Sequence, residues 1–205
     1  MQDADTVETD TQVDTQADTA KRILDAGEAL FRHYGYSKTT VADIAKDLGM
    51  STANIYRFFS SKIEIHQAIC SRMLGATYQN ALNIAALPLS AEERLRRYAH
   101  GNYQFTVDTM LDQEKVHEMV IVAIERDWHV IEKHIDRLNG IVEGIIIQGI
   151  EAGEFKPQDT ASAARCFGAS LVSLHHPQLV SQCMAKENRA CADELIDFAI
   201  RALKG

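Results

Sequence analysis

Between Ser51 and Lys62 the chain reads STANIYRFFSSK, and the residue types that can bond to a nucleic acid fall on one side of it. A two-turn helix opened by Ser51 that buries Ile55 and Phe59 leaves Thr52, Ala53, Asn54, Tyr56 and Arg57 pointing outward. Arg57 can donate a fork of hydrogen bonds to guanine or to a phosphate, and Asn54 can serve adenine or the backbone. Ala53 is small enough to let the helix approach closely or to touch a thymine methyl. Thr40, at the start of a preceding short helix, offers an amide and a hydroxyl. Lys62, in the first turn of the following helix, adds its charge to free backbone amides that could grip one phosphate. Ser51 and Thr40 are counted with this set as positioning contacts. Phe58 is assigned no contact.

The elements that must hold these residues are legible nearby. Thr40 and Asp43 form a capping box, and Val41, Ile44, Ala45 and Leu48 supply the apolar stripe of a helix over about 40–47. Gly49 makes the turn, and Met50 precedes the cap Ser51, so the next helix starts at Thr52. Ahead of them, Ile23, Gly27, Leu30, Phe31 and Tyr34 hold a helical period from Ala20 until Gly35 ends it. Behind them, Ser61 and Glu64 open a long helix carrying Ile65, Ile69 and Leu74 toward Pro88. Helix, glycine turn and short helix make a helix-turn-helix, the unit that lays its second helix in a major groove.

With 205 residues, 46% apolar, 24% charged and only three prolines, the chain is globular and large enough for one large domain or two small ones. No run of 18 apolar residues and no basic-then-apolar leader occurs, so the expectation is a cytoplasmic protein without a membrane span. Cys70, Cys166, Cys183 and Cys191 form no CxxC pair and read as reduced, mostly buried thiols. The net charge of -8 is unevenly spread: residues 1–19 carry -6, residues 20–75 carry +3 and residues 76–205 carry -5. The one basic block is the helix-turn-helix region. Residues 1–19, rich in Asp, Thr and Gln, read as a disordered acidic tail. Beyond Pro88 the helical period continues, with helices expected at about 90–112, 114–129, 131–152, 158–175 and 188–203. The fold class is therefore all-α, with about nine helices.

Residues 39–62, TTVADIAKDLGMSTANIYRFFSSK, closely resemble the N-terminal domain of the TetR family of bacterial transcriptional repressors. The resemblance covers residues 20–75: the first helix ending in YGY, the Thr-Thr start of the second, the Ile-Ala pair, the Gly-x-Ser turn, the Tyr before the phenylalanines and the Ser-Lys opening of the fourth. Gly153-Glu154-Phe155 looks like the usual end of the family's seventh helix. The resemblance implies a DNA-binding domain at 20–75 and a ligand-binding and dimerisation domain at 76–205, with Tyr56 on the sugar-phosphate backbone. It further implies a homodimer on operator double-stranded DNA, released by a small-molecule inducer. The last two helices would pair across the dimer through Phe167, Leu171, Leu174, Leu195, Phe198 and Ala199, although such stripes also serve an intrachain core. Tyr78, Tyr98, Tyr103, Met119 and Trp128 are the candidates to line an inducer pocket, each equally suited to core packing. Few basic residues share those faces, which favours a neutral or hydrophobic inducer.

Other constellations carry less. Glu114, His117 and Glu118, and Glu125, His129 and Glu132, have helical spacings that a metal could use, but solvated or ion-paired side chains produce the same spacings. No metal and no cofactor is expected. His175-His176-Pro177 reads as a helix end with the histidines meeting the dipole. No nucleophile elbow, papain-like or phosphate-loop motif occurs, so the chain reads as a regulator and not an enzyme. The rival reading is an all-helical protein-interaction adaptor, which would show no salt-dependent DNA binding.

Overall fold

The structure, a computed structural model, describes residues 4–110, 114–176, 179–180, 186 and 188–205, with side chains placed from Gln16 onward except at 109–117 and 127–129. Among the described residues every regular element is a helix: α1 Ala4–Tyr34, α2 Val41–Asp47, α3 Thr52–Tyr56, α4 Lys62–Ala85, α5 Ala91–Met110, α6 Glu114–Glu151, α7 Thr160–Ser170, α8 Val172–His175 and α9 Ala192–Lys204. None of them is long and apolar enough to cross a membrane.

Two cores organise the chain. The first joins Ile23 and Phe31 of α1, Ile44 of α2, Ile55 of α3 and Ile65 and Ile69 of α4, all fully buried. The second joins Leu95 of α5, Ile145 and Ile146 of α6, Leu171 between α7 and α8, and Ile196 and Ile200 of α9. Helix α4 spans both, since Ala81 belongs to the second core. The join between α5 and α6 is fixed by the Gly153-Glu154-Phe155 segment. Glu154 accepts the amides of Ala91 and Glu92 at 3.0 Å each, capping the N-terminus of α5, where a carboxylate is favoured. Phe155 fills the second core against Gly149, where any Cβ would overlap the ring.

Several elements depart from the periodicity. Helix α1 begins at Ala4, sixteen residues before Ala20, where the acidic tail was expected to be disordered. Residues 4–19 contain no glycine or proline and place carboxylates toward the helix N-terminus, both of which permit extension. The expected helices at 114–129 and 131–152 are one continuous α6, because nothing in RDWHVIEK breaks a helix. The expected helix at 158–175 is instead broken at Leu171, whose amide bonds the carbonyl of Gly168. Ser170 contributes by turning its hydroxyl onto the Phe167 carbonyl at 2.8 Å, a local competitor of the helical ladder. The thiols also differ from expectation: Cys166 and Cys191 are exposed and Cys70 is half-buried, while Cys183 lies outside the described residues.

The dimer stripe needs the largest correction. Phe167, Leu171, Leu174 and Ala199 are 6% exposed or less and pack into the chain's own second core. Leu195 is half-buried against that core, and Phe198 alone of the six turns outward, 65% exposed. A helical stripe shows that a face is apolar but not what covers it, and here α5 and α6 cover the inward side.

Candidate nucleic-acid interface

The helix-turn-helix is built by local hydrogen bonds. Thr40 accepts the Asp43 amide at 3.2 Å, and the Asp43 carboxylate accepts the Thr40 amide at 2.8 Å, closing the capping box. The Thr40 hydroxyl, donating to Asp43 Oδ2 at 2.6 Å, and the Thr40 amide together hold the Asp43 carboxyl below its ordinary pKa. Gly49 takes φ +65°, which reverses the chain so that the Met50 amide reaches the Ala45 carbonyl at 2.8 Å. Ser51 then caps α3 by accepting the Asn54 amide at 3.2 Å. Accepting through its oxygen leaves the Ser51 hydroxyl hydrogen able to donate to a phosphate.

Helix α3 is a single short unit of five residues, continued by turn bonds from the Phe58 and Phe59 amides to the Ile55 carbonyl. Ile55 is fully buried, and Phe58 and Phe59 both pack against the first core, which gives Phe58 its role. Ala53, Tyr56 and Arg57 are exposed, Tyr56 by 50%, while Thr52 and Asn54 are half-buried. Thr40 is exposed at the same end of α2. The structure therefore gathers an outward face of a small residue, a hydroxyl-bearing ring, an amide and a guanidinium on a helix of little more than one turn and the turn that continues it.

Lys62 is the member that the structure places differently. It does not extend to solvent at the start of α4. Its Nζ donates to the carbonyls of Tyr36 at 2.9 Å and Thr39 at 3.0 Å, and lies 4.2 Å from the centre of the Tyr36 ring. Burial lowers its pKa, opposed by the nearby Glu118 carboxylate.

An open groove of about 590 Å³ lies between α1 and α2, lined by Leu30, Tyr34, Lys38, Thr39, Asp43, Lys46 and Asp47. It borders the helix-turn-helix and not the second domain, where the inducer was expected. The four pocket candidates with described side chains do not converge in that second domain. Tyr98 is 5% exposed in the second core, and burial pushes its phenol up to about 12. Tyr103 packs half-buried against the same core. Met119, 3% exposed, belongs instead to the first core, because the N-terminal part of α6 packs on α1 and α4. Tyr78 is half-buried with the Arg137 guanidinium 3.6 Å from its ring centre. The Trp128 side chain lies outside the described residues.

Leu74, Phe105, Val122 and Ile131 are half-buried apolar residues that belong to neither core. The sequence reading passed over His134. His134 faces Thr77 Oγ1 at 3.2 Å, and burial lowers its pKa. His175 is not the charged helix cap the sequence suggested, because burial pushes its imidazole down to about 4 and keeps it neutral at pH 7. It bonds the Ala99 backbone, and its buried Nε2 has no hydrogen-bond partner. Among the described residues no group of three or more His, Cys, Asp and Glu could hold a metal ion. The side chains of Glu114, His117 and His129 lie outside them, and Glu118 accepts the Ser37 amide at 2.9 Å.

Residues 23–69 match the sequence profile of the bacterial regulatory proteins of the tetR family, and residues 91–196 match that of a tetracyclin repressor-like C-terminal domain. The chain belongs to the TetR family. It is 27% identical over 142 residues to the HTH-type transcriptional regulator YhgD of Bacillus subtilis, covering 69% of this chain and 74% of that protein. Its fold is similar to that of a TetR/AcrR regulator from Thermobifida fusca, with a TM-score of 0.68 at 21% identity over 92% of this chain and 97% of the other. It is also similar to FadR from Bacillus subtilis in complex with stearoyl-CoA, with a TM-score of 0.61 at 19% identity, covering 90% and 97%. This TetR-family chain is a DNA-binding transcriptional regulator with a ligand-responsive C-terminal domain.

Proposed function

We propose that this regulator is a cytoplasmic homodimeric repressor that sets two copies of α3 into successive major grooves of a palindromic operator, about 34 Å apart. Residues 20–75 form the DNA-binding domain and residues 76–205 the ligand and dimer domain. Ala53, Asn54 and Arg57 read base edges, while Thr40, Ser51, Thr52 and Tyr56 serve phosphate and sugar. The observation that carries this reading is the exposed face of α3 against a fully buried Ile55, held in place by two serial N-caps.

The second copy docks on the outward side of α7, α8 and α9. That side presents Phe198 at 65% exposure and Val172 at 49%, with exposed Ala169, Cys166 and Ala202. The inducer is an apolar molecule seated among the half-buried residues that belong to neither core, with Tyr78 and Tyr103 at its edges. A long-chain acyl compound fits this setting, since FadR is seen with stearoyl-CoA and burial disfavours the charged form of both His134 and His175. The test is enrichment of duplexes from a random-sequence pool, followed by binding assays with and without acyl-CoA. A two-fold symmetric binding motif whose occupancy falls on addition of the thioester is expected. Equal retention of all duplexes overturns the repressor reading, and indifference to every apolar ligand overturns the inducer class.

A further inference from the structure

The turn between α1 and α2, residues 35–40, ends at Thr40, the N-cap of α2, so its position sets where α2 and α3 stand. Its backbone is held from two sides. From α4, the Lys62 ammonium donates to the carbonyls of Tyr36 at 2.9 Å and Thr39 at 3.0 Å and covers the Tyr36 ring. From α6, Glu118 Oε1 accepts the Ser37 amide at 2.9 Å. The next residue, Met119, locks α6 to α4: its side chain is in the first core and its carbonyl is 3.1 Å from Nε2 of the fully buried His66.

A lysine that neutralises a phosphate must reach into solvent with its donors available. Lys62 is half-buried, and turning it to a phosphate would break two charge-assisted hydrogen bonds and a cation–π contact. Glu118 lies on the domain that binds ligand, yet the group it holds lies in the turn that starts the DNA-binding motif.

We propose that Lys62 and Glu118 form a clasp on the α1–α2 turn. Lys62 is a positioning residue that fixes α2, and through it α3, against α4, and makes no phosphate contact. Glu118 ties the same turn to α6, so that a ligand-driven shift of α6 reaches the recognition helix through the Ser37 amide. This rests on α2–α3 being the DNA-reading unit.

Glu118→Ala gives the decisive comparison, because electrostatics and the clasp predict opposite signs. Removing a carboxylate from a DNA-binding protein strengthens binding to any duplex, whereas opening the clasp weakens it. On a duplex enriched by the wild-type protein from a random-sequence pool, Glu118→Ala should bind about tenfold more weakly. Its Ser37 amide should exchange with solvent at least about tenfold faster, while Ile55 keeps its protection. Lys62→Met should lose affinity with the slope of log K against log salt unchanged; a slope shallower by about 0.9 per site would show a lost phosphate contact and overturn the positioning role. If Lys62→Met does not fold, Glu118→Ala still decides. Equal or tighter binding by Glu118→Ala, or unchanged exchange at Ser37, overturns the clasp. Should the wild-type protein retain no duplex at all, the DNA-reading assignment fails, and exchange at Ser37 judges the clasp without DNA.

Discussion

Phe198→Asp separates the dimer surface from the fold. Phe198 sits on α9 with 65% of its surface open, between half-buried Leu195 and exposed Ala202. A phenylalanine side chain offers roughly 200 Å², so about 130 Å² is available for burial by a second copy. At about 25 cal/mol per Å² that is about 3 kcal/mol per protomer, and about 6 kcal/mol across a two-fold interface that uses the residue twice. Losing it raises the dimer dissociation constant by about 10⁴, and an unpaired carboxylate at the interface adds to the effect. The single chain, by contrast, loses nothing, since Phe198 makes no part of its buried core. The variant should therefore be a folded monomer, with wild-type helical circular dichroism and a mass by sedimentation equilibrium of one chain at micromolar concentration. Operator affinity should collapse to that of a single half-site. Lys133→Ala, on an exposed stretch of α6, is the control and should remain dimeric. A Phe198→Asp protein that is still dimeric at nanomolar concentration refutes the placement of the interface; an unfolded one refutes the claim that α9 presents this residue to solvent.

Arg57→Ala should cost about 1–3 kcal/mol on the selected operator and relax preference at one base pair; equal binding of operator and variant sites by both proteins rules out a base contact. Glu154→Ala removes the acceptor of the Ala91 and Glu92 amides and should lower stability in urea by about 1–2 kcal/mol, with operator preference unchanged; an unmoved midpoint refutes the cap. Gly149→Ala forces a methyl into the Phe155 ring and should destabilise by about 1–3 kcal/mol, partly relieved by Phe155→Leu in the same chain; no relief means the clash lies elsewhere. His175 has a folded pKa of about 4 against 6.5 unfolded, so its contribution is complete above pH 6.5 and is lost as acid protonates the unfolded chain first. Between pH 7 and pH 5 that loss is about 2 kcal/mol, and His175→Phe should flatten the stability profile across this window. An unchanged slope in the variant would show that His175 titrates normally.

The DNA-reading half of the molecule was legible because it is built from interactions close in sequence. The Thr40–Asp43 box, the Gly49 turn and the Ser51 cap each span three or four residues, and the residues left outside by Ile55 follow from helical spacing alone. The inward turn of Lys62 was hidden for the complementary reason. Its partners, the carbonyls of Tyr36 and Thr39, lie 26 and 23 residues away, and nothing local distinguishes a lysine that turns inward from one that reaches out. The second domain failed more widely, since a stripe such as Phe167, Leu171 and Leu174 records only that some apolar surface covers it. Met119 shows the same limit from the opposite side: as a methionine on α6 it suited a ligand pocket, yet the length of α6 carries it into the DNA-binding core. That misplacement is informative about regulation. A helix of 38 residues that puts Met119 in one core and Ile145 in the other cannot tilt in the second domain without moving the first, because packed cores do not stretch.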